Sequence, residues 1–172
     1  ELSAFQVINN YDESQLRNVL WQYGELRQAQ AMAKIIVAAR AETPIKTSVE
    51  LKAVLQRFLP PNKENKILAQ IFQAIRIEVN QEIEALKELL LQTTDLLDKG
   101  GRLSIISYHS LEDRLVKRFI RNGLFEGEPE RDVFGNYEVP FIKVGSLTVP
   151  SSKEIKINSR ARSAKLRIAE RL

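Results

Sequence analysis

The sequence contains no cysteine and no long apolar run, and both absences exclude whole classes of protein. Without cysteine the chain cannot form disulfides, thiolate zinc sites or a cysteine nucleophile, which fits a reducing cytoplasm. The apolar stretches are as short as residues 35–39, far below the length of a membrane span. Glu1 opens a mixed polar segment without the basic start and apolar core of a signal peptide. We therefore predict a cytoplasmic protein with no membrane partner.

Histidine and glycine are also scarce. His109 is the one histidine, and a hydrolase built on Ser110 and His109 is disfavoured because there is neither a second histidine nor a Gly-x-Ser-x-Gly elbow. None of the seven glycines lies in a Gly-x-Gly-type loop of the kind that holds a nucleotide cofactor. We expect no metal site.

Positive charge is concentrated near the end of the chain. The net charge is only +4, but residues 153–172 carry seven basic side chains against two acidic ones. Such a basic end suits an anionic partner such as nucleic acid. A solvated surface explains the same pattern, and charge alone does not separate the two.

The first half of the sequence predicts helices. Asp12 is a good N-cap for one helix, an alanine-rich helix follows up to Pro44, and Thr47 with Glu50 forms a capping box for a third. Helical periodicity then runs from about residue 65 to residue 97, and we expect a break near Asn80 and Gln81. We predict a helical subdomain over residues 1–80 and a second region over residues 81–172.

The second region predicts a sheet. After Gly100 and Gly101 the segment LSIIS is apolar on both sides, as in a buried parallel strand. LEDRLVKRFIRNG returns to helical period, and PFIKVGSLTV and AKLRIAE predict two further strands. The order helix, strand, helix, strand, strand indicates an α/β sheet with too few strands to be complete.

Four stretches, in this order, resemble one known family: YGELRQAQAMAKIIVAAR, FQAIRIEVNQEIEAL, GGRLSIISYHSLEDRLVKRFI and NSRARSAKLRIAER. They are similar to the small-subunit ribosomal RNA (cytidine-N4) methyltransferase H family, the MraW-like enzymes, over almost the whole chain. The resemblance implies a partial Rossmann-like class I methyltransferase sheet with an all-helical insert. It assigns residues 1–80 to the insert subdomain and residues 81–172 to the C-terminal half of the methyltransferase domain. It also implies transfer of a methyl group from S-adenosylmethionine to the exocyclic amine of a cytidine in small-subunit ribosomal RNA.

The same resemblance limits what this chain does alone. The family's glycine-rich loop and the acidic residues that hold the cofactor and face the substrate precede the part of the family seen here. We therefore expect S-adenosylmethionine to serve the complete enzyme, no cofactor-binding residue in this chain, and no activity of this chain alone. The alternative is a non-catalytic module, derived from such an enzyme, that binds RNA or a partner. Homo-oligomerisation stays open.

Candidate site residues follow the first predicted strand. Tyr108 can stack on a base, and His109 can hydrogen-bond or move a proton, because ligands of open α/β sheets bind at the carboxyl ends of strands. His109 is a weak catalytic candidate, since a lone histidine more often has a structural partner. Ser110 and Asp113 fit a helix capping box with Ser110 as the cap.

Basic side chains are the remaining candidates for RNA contact. Arg114 begins a helical face that continues with Lys117, Arg118 and Arg121, as a phosphate track or as a plain solvated face. Arg160 and Arg162 lie in a polar loop just before the last predicted strand, where they can contact phosphates, and Lys165 and Arg167 within that strand are candidates beside them. Ion pairing to nearby Asp or Glu is the alternative.

Overall fold

The computed structural model describes residues 2–172 as a mixed α/β protein, which confirms the predicted fold class. Its helices are α1 Ala4–Asn10, α2 Glu13–Gln22, α3 Ala29–Glu42, α4 Ser48–Val54, α5 Glu64–Asn80, α6 Glu82–Leu96, α7 Ser110–Asn122 and α8 Ser152–Ile157. Two 3₁₀ helices span Gln56–Phe58 and Ser159–Ser163, and the strands are β1 Arg102–Ser107, β2 Phe141–Thr148 and β3 Lys165–Arg171.

The chain divides into two compact units, Glu1–Glu82 and Ile83–Leu172, which we call the helical unit and the sheet unit. The assignment of these units to an insert and to half of a methyltransferase domain stays a prediction. None of the helices in residues 2–172 is long and apolar enough to cross a bilayer.

Capping boxes begin three helices of the helical unit. Asp12 and Thr47 cap α2 and α4 as the sequence predicts, each accepting a hydrogen bond from the backbone N–H three residues on. Helix α1 was not predicted, although Ser3 and Gln6 form the same reciprocal box. The Ser-x-x-Gln spacing was the local signal for this helix.

The core of the helical unit is assembled from stripes of apolar residues. Helix α3 buries residues at positions i, i+3, i+4 and i+7, and α5 packs its own stripe against the same cluster. The fully buried side chains here are Val7, Leu16, Leu20, Ala33, Ile36, Leu55, Ile71 and Ala74.

Polar side chains fix the segments around this core. Asn9 exchanges two hydrogen bonds with the backbone of Ile45, at 2.8 and 2.9 Å. Arg40 donates to the backbone carbonyls of Ile8 and Tyr11 at the end of α1. The hydroxyl of Tyr11 donates to Glu78 at 2.6 Å, and burial together with this bond raises the pKa of Tyr11 to about 12.

The long helical segment breaks where the sequence predicts. α5 ends at Asn80, Gln81 adopts a left-handed conformation with φ of 52°, and α6 begins at Glu82. The carboxylate of Glu82 accepts hydrogen bonds from Arg76 at 2.8 Å and from Asn80 at 3.0 Å, which stabilises the chain around this turn.

The three strands form an antiparallel sheet in the order β1-β3-β2. Among residues 2–172 the one partner of β1 is antiparallel, so the expected burial between parallel strands is not found in this part of the chain. A parallel neighbour on its other edge stays a prediction. β1 pairs with β3 alone, and its Ile106 is 56% exposed. An apolar run indicates a strand but carries no information about the direction of its partner.

One face of the sheet is covered and the other is not. Helix α7 packs Val116, Phe119 and Ile120 against Phe141 and Ala169. The opposite face carries the alternate residues Ile106, Ile142, Val144, Leu166 and Ile168, all of them partly or largely exposed. The sheet unit therefore leaves an apolar surface of its own uncovered.

Candidate functional site at the carboxyl end of the first strand

The candidate residues converge at one end of the sheet. Ser107, the last residue of β1, lies opposite Lys165, the first residue of β3, and its hydroxyl donates to the Lys165 carbonyl at 3.4 Å. The segment after β1 and the 3₁₀ helix Ser159–Ser163 before β3 therefore meet at this end. Antiparallel pairing thus brings together residues that are more than fifty positions apart.

Tyr108 presents its side chain outward. It is 57% exposed, and its backbone N–H donates to the Glu112 carboxylate at 2.8 Å. The backbone is held while the ring is accessible, which is the arrangement that a stacking contact with a base requires.

His109, and not Ser110, caps helix α7. Its Nδ1 accepts a hydrogen bond from the Glu112 N–H, and the Glu112 carboxylate accepts from the His109 N–H, each at 3.4 Å. The predicted cap at Ser110 was wrong by one residue, because the chain stays extended through His109. A cap through Nδ1 requires this nitrogen to be unprotonated.

Glu112 faces the other ring nitrogen as well. Nε2 of His109 lies 3.1 Å from Glu112 Oε1 but is not aligned for a hydrogen bond. Burial raises the pKa of Glu112, yet the adjacent His109 ring and the hydrogen bond from the Tyr108 backbone outweigh burial and hold this pKa below its usual value. Glu112 is therefore a carboxylate that orients the turn.

Asp113 does not cap the helix. It is buried, and it accepts hydrogen bonds from Arg167 at 2.7 and 3.2 Å and from Lys165 at 3.1 Å. Burial raises the pKa of Asp113, but the hydrogen bonds and charges of Arg167 and Lys165 together lower it by more. The pKa of Asp113 is therefore below its ordinary value. This triad was not predicted, although residues 165 and 167 share one face of the predicted strand.

The remaining basic candidates differ in what they contact. Lys165 is paired with Asp113, which is the ion pairing weighed as the alternative to RNA contact. Arg160 and Arg162 are exposed on the 3₁₀ helix, and Arg114 is exposed on α7. On the same helix Arg118 is turned toward the backbone carbonyl of Gly127. Their RNA contacts stay predictions.

The described residues do not fit a class I cofactor cradle. Such a cradle needs a strand followed by closely spaced glycines, so that the backbone can approach the ligand. β1 is followed by Tyr108 and His109, and β2 contains only Gly145. No chemical step through S-adenosylmethionine is therefore derived from these residues.

The class of protein is defined by comparison with known families. A family model described as the MraW methylase family matches residues 1–172, so this is a chain of a methylase family. The chain belongs to the MraW methylase family.

Curated relatives agree with this assignment along the whole chain. It is 62% identical over 172 residues to the ribosomal RNA small subunit methyltransferase H of Flavobacterium johnsoniae, covering 100% of this chain and 57% of the relative. The protein of the same name from Flavobacterium psychrophilum is 62% identical over 171 residues, covering 99% and 59%. That of Amoebophilus asiaticus is 54% identical over 171 residues, covering 99% and 55%. The chain thus spans little more than half the length of these relatives.

Proposed function

We propose that this chain is part of an S-adenosylmethionine-dependent methyltransferase that acts on the exocyclic amine of a cytidine in small-subunit ribosomal RNA. The observation that carries the proposal is the 62% identity, along the entire chain, to a relative named for methylation of that RNA. The choice of the cytidine amine rests on the resemblance stated above.

The sheet supports the proposal that cofactor binding lies outside these residues. Within residues 2–172 one face of the sheet is uncovered and apolar, and β1 has a pairing partner on one side only. Sheets with apolar residues on both faces are covered on both faces in complete domains. We infer that a further segment of the complete enzyme covers this face and carries the cofactor loop.

In this proposal the described residues orient the RNA. Tyr108 offers an exposed ring, His109 and Glu112 fix the turn that presents it, and Arg160 and Arg162 offer exposed guanidinium groups at the same end of the sheet. Guanidinium groups bind phosphates with two parallel hydrogen bonds. Methyl transfer to an amine depends mainly on such positioning.

The test compares two proteins. The complete reading frame that contains these codons and the 172-residue chain are each incubated with labelled S-adenosylmethionine and small ribosomal subunits that lack the modification. We expect the complete protein to produce N4-methylcytidine in digested RNA and the chain alone to produce none. Methylation of another base, or of no base by either protein, would refute the proposal.

The basic 3₁₀ helix gives a second, narrower prediction. Replacing Arg160 and Arg162 by Ala in the complete enzyme should weaken RNA binding, and the slope of log K against log salt should fall by about 1 per lost phosphate contact. Arg17→Ala with Lys34→Ala removes the same charge from exposed positions of the helical unit and serves as the control. An unchanged slope in the Arg160/Arg162 variant would contradict the phosphate contact.

The alternative is a non-catalytic RNA-binding module. The absence of a glycine-rich loop in the sequence and its exposed cations favour this alternative. It predicts RNA binding by both proteins in the first experiment and methyl transfer by neither.

A further inference from the structure

A cavity of about 320 Å³ lies between α7, β2 and β3 of the sheet unit. Ile120 and Phe141, both buried, line it together with Leu147, which is 37% exposed. The volume is at the lower end of the range for small-molecule sites, the size of a single compact group. Ile142, Val144 and Ile168, which also belong to the uncovered face of the sheet, complete its apolar lining.

The shape of β2 creates the opening. β2 advances from Val144 to Thr148 while the paired strand β3 moves only from Ile168 to Leu166, so the ladder contains a bulge. Gly145 has φ of 66° at this point, a conformation that residues with a side chain rarely adopt. Bulges redirect side chains, and here Ser146 and Leu147 line the cavity.

The rim of the cavity is exclusively basic. Its charged lining residues are Lys117, Arg121, Lys143 and Arg167, and no acidic residue is among them. Arg167 is already paired with Asp113, and Arg121 bonds to the neutral side chain of Asn122. Lys117 and Lys143 are exposed and form no ion pair with any residue in 2–172.

This arrangement selects the chemistry of the ligand. Lys117 and Arg121 are four residues apart on one helix, a like-charge pair that weakens an isolated helix. Apolar side chains at the base of the cavity and unpaired lysines at its rim fit a ligand with a flat, weakly polar ring that is flanked on each side by an anionic group. A nucleotide within a single-stranded RNA has this form.

We propose that this cavity binds one unstacked base of a single-stranded RNA, while Lys117, Arg121 and Lys143 contact the flanking phosphates. The choice of RNA over other anions rests on the proposed function. The base lies on Ile120, Phe141 and Leu147, so its binding requires no sequence-specific hydrogen bond. The cavity thus gives the chain an RNA-binding element of its own in the sheet unit.

The first arm of the test measures charge. Fluorescence anisotropy follows binding of labelled oligocytidylate, about ten nucleotides long, to the full chain over a range of salt concentrations. We expect Lys117→Ala with Lys143→Ala to weaken binding, and the salt slope to fall by about 1.4, since each contact to a single strand contributes about 0.7. Lys34→Ala with Lys99→Ala removes equal charge from exposed positions outside the cavity and should leave the slope unchanged.

The second arm measures the base. An abasic oligomer of the same length and charge should bind roughly 5- to 100-fold more weakly than oligocytidylate, the range that base contacts supply. Leu147→Ser should remove most of this difference, and Leu147→Met should retain it. Circular dichroism and thermal unfolding confirm that each variant is folded.

Three outcomes would overturn the proposal. Equal binding of the abasic oligomer by the unmodified chain would show that no base enters the cavity. Equal loss in the two double-lysine variants would show that the rim is not the contact. Equally tight binding of an acidic peptide of matched charge would point to a protein partner instead. These binding assays need neither cofactor nor turnover. Base binding in the cavity and methyl transfer by the complete enzyme are therefore tested separately, and either result can be negative while the other is positive.

Discussion

The helical unit and the sheet unit differ in how completely they bury their apolar side chains. The helical unit packs eighteen buried hydrophobic residues from all its helices into one cluster. The main cluster of the sheet unit contains six, because α7 covers only one face of the sheet. The opposite face leaves Ile106 and Ile142 more than half exposed.

This difference indicates what each unit depends on. The helical unit has a core of its own and loses stability mainly when that core is damaged. The sheet unit relies in addition on the Asp113–Arg167–Lys165 triad and on the His109 cap, and it carries the uncovered face and the basic cavity. The stability of the helical unit comes mainly from hydrophobic packing. The sheet unit combines buried polar interactions with an uncovered apolar face.

The largest expected effect is in the core of the helical unit. Ile71 is fully buried, and Ile71→Ala should lower the free energy of unfolding by roughly 2–5 kcal/mol because it leaves a cavity. Trp21 is the one tryptophan and lies in α2, so its fluorescence during urea unfolding reports on this unit. Ile71→Val is the matched control, with an expected loss of roughly 0.5–1.5 kcal/mol. Equal losses in the two variants would contradict a tightly packed core.

The next effect concerns the triad of the sheet unit. Asp113→Ala leaves the guanidinium of Arg167, whose side chain is only 14% exposed, without its acidic partner. We expect a loss of about 3 kcal/mol, measured from the amide hydrogen exchange of β1 and β3. Glu126→Ala, an exposed acid, should change stability by less than about 0.5 kcal/mol. A similar result for the two variants would show that the triad contributes no stability.

The same triad predicts a pH dependence. Because the pKa of Asp113 is lower in the folded state than its ordinary 3.8, its stabilisation is complete well above pH 3.8 and is lost as the pH falls through the lower, folded-state pKa. The unmodified sheet unit should therefore lose more stability on acidification than Asp113→Ala does. Parallel pH profiles for the two proteins would refute this contribution.

A smaller effect is expected at the cap of α7. His109→Ala removes the acceptor of the Glu112 N–H and should cost about 1 kcal/mol, whereas His109→Asn retains an acceptor and should recover most of it. Turnover of the complete enzyme then separates two roles. An acid–base group would lose roughly 10²- to 10⁴-fold in both variants, while a cap would be rescued by Asn.

The smallest effect is expected on the uncovered face. Ile106→Thr keeps the branched shape that suits a strand, and in this chain it should change stability by less than about 0.5 kcal/mol because the side chain is 56% exposed. If another segment covers this face in the complete enzyme, the same substitution should cost more there. Thermal unfolding of both proteins measures the difference, and equal small effects would argue against such a cover.

Local features of the fold were predictable. Asp12 and Thr47 cap helices as their side chains and spacing indicate. The break at Gln81 lies where one stripe of apolar residues ends and a second begins, in a helical segment longer than single helices usually are. The sequence predicts Ser110 as the cap of α7 because serine is a far commoner cap residue than histidine. In the structure the cap is His109. The Glu112–His109 pairing depends on a backbone that is still extended at His109, and the sequence does not display it.

The candidate site was predicted only in part. Tyr108, Arg160 and Arg162 are exposed at one end of the sheet, as RNA contact requires, but Lys165 is paired with Asp113. Asp113 and Arg167 are 54 residues apart, and no local sequence pattern predicts the ion pair between them. The cavity beside β2 depends on a bulge that appears only when β2 and β3 are paired.

The sequence by itself determined the type and position of most elements, because capping, propensity and apolar period act over a few neighbouring residues. It also determined the family, through four ordered stretches that span the chain. Only the tertiary structure decided the antiparallel direction of β1, the partners of the basic residues and the position of the cavity. These features arise from contacts between distant segments, whose geometry exists only after the chain has folded.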